Sequence, residues 1–295
     1  MGIRAVISDF DGTILAPQGI PSSFWSAKKT LENAGIPVYV ATGRPVESLI
    51  STLSAYSGDL KPYPGVFCDG SVLKDRDNQS ILLSTFDLEV CSVIYEYLRL
   101  LKKAGIRINI GIQGLSQFYS DTTDLDIGRR EQLVYNSLTV VDSVDEIRKR
   151  YNDQILAFAI SSDSADALVC VQQLVRTAFP RCPAFVGGTS NVLILSNGCT
   201  KAQGVRALCN LLKYKEAEVL VIGDGDNDLE MLAQFPHSIA MGNASPEVRK
   251  AAKVVAPNVD DDGWALSVLQ YIAAADERTT VASSSVSDDE PTVTI

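Results

Sequence analysis

The chain opens on an apolar run, Ile3 to Ile7, broken only by Arg4 and followed by Ser8-Asp9-Phe10-Asp11-Gly12-Thr13. A short β-branched run that ends in Asp and Gly predicts a buried strand opening into a loop. Ser22 or Ser23 then caps a helix through Ala34, and Gly35 stops it. Residues 36–41 form a second apolar run, ending in Thr42-Gly43-Arg44-Pro45. Pro45 suits the first turn of a helix that carries Ser48, Leu49 and Leu53. Strand, helix, strand, helix is the rhythm of a parallel α/β sheet, in which ligands sit beyond the carboxyl ends of the strands. Val66-Phe67-Cys68 adds a further short run, stopped by Asp69-Gly70.

From about Ser84 the texture changes. A helical pattern covers 88–104, strand-like pieces cover 107–111, 117–119 and 155–160, and a second helix covers 165–179. Residues 84–188 therefore read as an inserted α+β module. The core is expected to resume at 189, with a strand at 192–195, then Lys201 and a helix to Leu212. Val219-Leu220-Val221-Ile222 is the plainest buried strand, and it runs into Gly223-Asp224-Gly225-Asp226-Asn227-Asp228. A short strand at 238–241, a helix opened by Pro246 and a last helix at 263–274 complete the pattern. The expected division is a discontinuous core of 1–83 and 189–275, an inserted module of 84–188, and a Ser- and Asp-rich disordered tail at 276–295.

Composition narrows the function classes. With 46% hydrophobic and 21% charged residues among 295, the chain is that of a globular protein with room for two domains. A formal charge of -10 argues against nucleic acid as a partner. An anionic substrate would need local positive charge from a metal, a Lys or an Arg. No apolar run reaches the roughly 18–20 residues that a membrane span requires. The six cysteines are scattered without a Cys-x-x-Cys pair, which suits reduced thiols and a cytoplasmic location. A single histidine, His237, makes a histidine-based triad an unpromising reading.

The polar strand ends carry the chemistry. Two carboxylates two residues apart, Asp9 and Asp11, repel each other at a strand end unless a cation or a chemical task removes the conflict. A calcium loop fails on spacing, because the glycine falls at the fourth position rather than the sixth. Asp224, Asn227 and Asp228 follow another strand, Thr42 a third, and Lys201 lies near a fourth. Taken singly, each has an ordinary reading: a turn, a solvated lysine, a polar loop. Gathered on one edge, the carboxylates form the hard, all-oxygen site that Mg2+ prefers. Thr42 and Lys201 then suit a phosphoryl group, and Gly12, Gly43 and Gly225 let backbone approach its oxygens. Displacement at phosphorus is the chemistry this suits.

These motifs, in this order, resemble those of the haloacid dehalogenase superfamily phosphatases: Asp9-Phe10-Asp11-Gly12-Thr13, Ala41-Thr42-Gly43-Arg44-Pro45, Lys201, and Gly223 to Asp228. Ala240-Met241-Gly242-Asn243-Ala244 and Asp262-Gly263 resemble the Cof-type subgroup. Relatives commonly have Lys-Gly at the third motif, where this chain has Lys201-Ala202-Gln203-Gly204. The resemblance implies a Rossmann-like core with an α+β cap inserted between Thr42 and Lys201. It implies Asp9 as the nucleophile and Asp11 as general acid and base. It implies Mg2+ on Asp9, the Asp11 carbonyl and Asp224, with Asp228 second in line, and phosphoryl oxygens held by Thr42, Lys201 and Asn227. Arg44 beside Thr42 suits an anionic leaving group or a structural salt bridge, and Gly187-Gly188-Thr189 a hinge or a substrate-facing turn. The expected activity is Mg2+-dependent hydrolysis of a small phosphate monoester, such as a sugar phosphate or a phosphorylated cofactor. The alternatives are a phosphomutase of the same superfamily and a non-catalytic phospho-ligand binder or regulatory protein.

Overall fold

The computed structural model describes residues 2–56, 58–122, 138–187 and 191–284. The first stretch forms β1 (Ala5–Ser8), α1 (Ser22–Asn33), β2 (Val38–Ala41), α2 (Val46–Leu53), β3 (Gly65–Phe67), β4 (Val72–Lys74) and β5 (Ser80–Leu82). Next come α3 (Leu88–Lys103), β6 (Asn109–Gly114), β7 (Phe118–Ser120), β8 (Leu138–Val140), α4 (Val144–Tyr151), β9 (Ile155–Ser161), α5 (Ala165–Ala178), β10 (Ala184–Gly187) and β11 (Asn191–Leu195). The chain then runs through α6 (Lys201–Leu212), β12 (Val219–Gly223), α7 (Leu229–Gln234), β13 (His237–Ala240), α8 (Pro246–Ala251), β14 (Val254–Val255) and α9 (Gly263–Ser284).

The larger sheet has the order β14-β13-β12-β1-β2-β3-β4-β5. Its pairs are parallel from β14 to β3, and β4 and β5 add an antiparallel edge. Side chains alternate between its two faces. Ala5 and Ile7 of β1 join Val219 and Val221 of β12 in a core closed by Ala202, Val205 and Leu208 of α6. Val6, Leu220 and Ile222 face the other way, onto Phe24 and Leu31 of α1 and Trp264 and Val268 of α9. Both faces are covered, which is why these strands read as continuous apolar runs. The Trp264 indole N–H reaches Ser8 Oγ at 2.9 Å and ties α9 to the end of β1.

The smaller sheet has the order β10-β11-β9-β6-β7-β8 and is antiparallel except for β7 with β8. One face packs Ile110, Ile112, Phe158 and Ile160 against Ile94 and Leu98 of α3, Ile147 of α4 and Val171 of α5. At the β10 side, the sheet lies against the Asp226–Asp228 turn of the larger one.

Two expectations are corrected. The strand at 192–195 does not resume the larger sheet; β11 pairs with β9, from Asn191 opposite Ser161 to Leu195 opposite Ala157. An alternating apolar run announces a strand, but its partner lies elsewhere in the chain and cannot be read from the run itself. Re-entry comes after Leu195, through α6. The last helix continues past Ala275 to Ser284. No Gly or Pro interrupts 276–284, and extending a formed helix costs far less than starting one. Gly188, Thr189 and residues 285–295 lie outside the described residues.

Candidate active site

The candidate site is built around the chain segments that leave β1 and β12. Asp9 leaves β1 with its N–H bonded to Ile222 O at 2.8 Å, so the two strand ends are held level. Thr200 Oγ1 accepts the Gln203 N–H at 3.3 Å and starts α6, which sets Lys201 in its first turn. The Lys201 side chain is fully buried; Nζ donates to Asp9 Oδ1 at 2.7 Å and to Asp228 Oδ1 at 2.7 Å. Asp228 Oδ2 accepts the backbone N–H groups of Asp224 and Gly225, each at 3.0 Å, and so shapes the loop after β12. Gly204 follows three residues after the lysine, on α6. A Cβ there would stand 2.8 Å from Gly70 Cα, so its absence lets α6 press against the turn after β3.

Asp224 is held from two sides. Thr13 Oγ1 donates to its Oδ1 at 2.7 Å, and Asn243 Nδ2 donates to its Oδ2 at 3.0 Å while also reaching Gly12 O at 2.9 Å. Gly12 adopts a φ of +77°, and a Cβ on it would stand 2.3 Å from Asp224 Oδ2. Asp9, Asp224 and Asp228 each present a carboxylate oxygen within 4.8 Å of the others. Burial pushes the Asp9 carboxyl well above its ordinary value; Lys201 opposes this, and Asp228 and Asp224 add to it. Burial and then Asp228 push Asp224 up to about 6. Burial works against the Lys201 ammonium, but Asp228, Asp9 and Asp69 outweigh it and raise its pKa. Three carboxylates around one ammonium leave an excess of negative charge on hard oxygen donors. That donor set fits a metal ion.

Asp11 and Arg44 stand together at the rim. Arg44 Nε donates to Asp11 Oδ2 at 2.7 Å and Nη2 to Oδ1 at 2.5 Å, while Nη1 donates to Thr52 Oγ1 at 2.6 Å. This pair is one of the two roles expected of Arg44. Thr42 is buried, and its hydroxyl oxygen accepts the Arg44 backbone N–H at 3.1 Å. Asn227 Nδ2 donates at 2.8 Å to Asp69 Oδ1.

Asp69 belongs to this site although no motif marks it. It is 2% exposed, sits in the turn after β3 at a φ of 52°, and burial raises its pKa. Gly43 makes room for it, since a Cβ there would lie 2.7 Å from Asp69 Oδ2. A sequence signal does exist: an Asp at the carboxyl end of a parallel strand belongs to the same edge as the others. Asn243, which braces Asp224, carries no signal beyond its place in a subgroup motif.

A family profile for haloacid dehalogenase-like hydrolases matches residues 6–267. The chain belongs to that family. Among its relatives, the Escherichia coli protein named 5-amino-6-(5-phospho-D-ribitylamino)uracil phosphatase YbjI is 25% identical over 89% of this chain and 94% of its own length. An Arabidopsis thaliana protein named chloroplastic endoribonuclease YBEY is 24% identical over 90% of this chain, which spans only 46% of that longer protein. The solved structure of the subclass IIB sugar phosphatase BT4131 superposes with a TM-score of 0.77 at 21% identity, covering 91% of this chain and 98% of that one. At that identity the likeness establishes the fold: a Rossmann-like parallel core carrying a second, α+β sheet unit. No described helix is long and apolar enough to cross a membrane.

Proposed function

We propose that this hydrolase is a Mg2+-dependent phosphatase that acts on a small phosphate monoester, a sugar phosphate or a phosphorylated cofactor, through an aspartyl phosphate on Asp9. The observation that carries the reading is the Lys201 bridge, 2.7 Å to Asp9 Oδ1 and 2.7 Å to Asp228 Oδ1. It fixes a carboxylate at the end of β1 by one oxygen, and no hydrogen bond from a described residue engages Asp9 Oδ2. The names of the relatives, one specifying a ribityl phosphate and one a sugar phosphatase, support the same range of esters.

In this reading Asp9 Oδ2 attacks phosphorus as the bond to the leaving oxygen breaks, and Asp11 in its acid form gives that oxygen a proton. A water deprotonated by Asp11 then attacks the acyl phosphate at phosphorus, which restores Asp9 and releases inorganic phosphate. Asp11 must first leave the Arg44 fork, because a carboxylate paired at both oxygens serves as neither acid nor base. Thr42 accepts one hydrogen bond and keeps its own proton to donate to a phosphoryl oxygen. Asn227 uses one amide proton on Asp69 and has a second to offer. Asp9, Asp224 and the Asp11 backbone carbonyl would hold Mg2+, with Asp228 beside them, and the ion would offset the clustered charge and polarise the phosphoryl group.

Inorganic phosphate release should be measured over a panel of monoesters, with Mg2+ and with excess chelator. The expected outcome is turnover that requires the metal and falls at least about a thousandfold in Asp9→Asn. Folded protein that releases phosphate from no ester would sink the reading.

A further inference from the structure

A surface helix ordinarily carries one apolar face and buries it, but α3 carries two. Cys91, Ile94, Tyr95 and Leu98 are buried and belong to the interior of the smaller sheet. Val90, Val93, Tyr97 and Leu100 make the second face, at intervals of three, four and three residues. That spacing sets every member on one stripe and is the spacing of a helix-packing seam. Val90, Val93 and Leu100 are 38%, 59% and 59% exposed. Tyr97 is half-buried, its ring 5.4 Å from that of Phe179 just past α5, and it roots the seam in the interior below.

Apolar side chains exposed singly are ordinary, whereas several in register along one helix mark a surface that a partner covers. The charges beside the seam say which partner. Glu89, Glu96 and Lys103 recur every seven residues along one flank, acidic toward the start of α3 and basic at its end. A parallel copy would set acidic end beside acidic end and basic beside basic. An antiparallel copy brings Glu89 of each helix beside Lys103 of the other. The same register sets Val90 opposite Leu100 and Val93 opposite Tyr97, so each apolar member of the seam is covered. Glu96 then stands near its counterpart at the two-fold axis, and Arg99 of its own helix offsets its charge, with Nη1 3.1 Å from Glu96 Oε1.

We propose that the exposed seam of α3 docks a second copy of this chain, the two α3 helices packing antiparallel across a two-fold axis. An interface of this kind is self-complementary, because the same patch serves on both sides. Two copies of α3, each about 24 Å long and about 10 Å across, cover roughly 500 Å2 between them. A stable interface buries about 1,200–2,000 Å2. α3 packs against α4 and meets the end of α5 through Tyr97 and Phe179, so the flanks of both helices border the seam and add to the contact. The pairing is reversible, with a Kd of micromolar order. It is independent of the reaction catalysed, since the candidate active site lies on the larger sheet.

Sedimentation velocity of the full chain, from about 1 to about 100 μM at about 0.15 M salt, is expected to show a monomer–dimer equilibrium. Val93→Glu and Leu100→Glu should each weaken it at least about tenfold. Their melting temperatures should match the parent's when all are monomeric, because both side chains face solvent in a single copy. Glu89→Lys and Lys103→Glu should each weaken association about threefold to tenfold. The double variant, which exchanges the two signs, should recover the parent affinity; a merely sticky surface would give no such recovery. A parent that stays monomeric at about 100 μM overturns the proposal. So does a dimer indifferent to Val93→Glu and Leu100→Glu, which would use another face, such as the β5 edge with its exposed Ile81 and Leu82. A double charge variant no better than either single one overturns it as well.

Discussion

A single ammonium, Lys201, holds two buried carboxylates, and its removal would leave both without a counter-charge. Breaking a buried pair from one side typically costs about 3–5 kcal/mol. Lys201→Met, unfolded by urea in chelator, is expected to lose stability of that order. The carboxyls make a second prediction. Burial favours the neutral form of Asp224, whose pKa rises to about 6 from an unfolded value near ~3.9. The folded protein therefore keeps a proton that the unfolded chain releases, and this site's contribution to stability falls as pH rises from about 4 to about 6. Thermal melts in chelator should show that decline. Melts with excess Mg2+ should show the reverse slope, because the ion competes with the proton. An unchanged slope on adding Mg2+ would count against Asp224 as a ligand.

At the scale of the element, the candidate site lies in the turns at the carboxyl ends of parallel strands. Gly12 shows how narrow the tolerance is: its φ is +77° and Asp224 occupies the space a Cβ would need. Gly12→Ala should displace Asp224 and cut phosphate release by roughly a hundredfold, the usual cost of a misplacement near 1 Å. Steady-state kinetics across Mg2+ concentrations will check this, with weaker metal dependence expected too. The same turns explain which site residues are legible in the sequence. Asp9, Asp224 and Lys201 stand directly after apolar runs or at a helix start, so local pattern suffices to mark them. Asp69 also follows an apolar run, but what turns its side chain into the site is a turn with two consecutive positive-φ residues, Cys68 and Asp69, which apolar spacing does not announce. β11 is recognisable as a strand but not as part of the smaller sheet, since pairing is a long-range fact. The Asp11–Arg44 fork joins residues whose placement depends on two different strand ends.

For the whole molecule, each face of the larger sheet carries an apolar interior and a third lies beneath α3, α4 and α5, while Leu156 of β9 packs into one of the larger sheet's two. The acidic cluster belongs wholly to the larger sheet. Mg2+ should therefore slow amide hydrogen exchange in β1 and β12 while leaving β6 and β9 unchanged, as expected for distinct cooperative units. Uniform slowing throughout would mean that the two parts open as one. The family fold is legible at this scale because motif order survives large differences in the intervening chain. The end of α9 is not, because helix extension into a polar segment leaves no apolar stripe to trace.

The pairing of β1 with β12, register Ala5 to Val219, has a consequence for biosynthesis. A ribosome works from the N-terminus, so the first strand emerges long before the neighbour that completes its surroundings. The smaller sheet, spanning Asn109 to Leu195, is finished earlier. The inserted unit can thus reach its final shape while the older, interrupted half still waits with apolar strands uncovered. That interval, rather than the mature protein, is where a chaperone would find this chain most vulnerable.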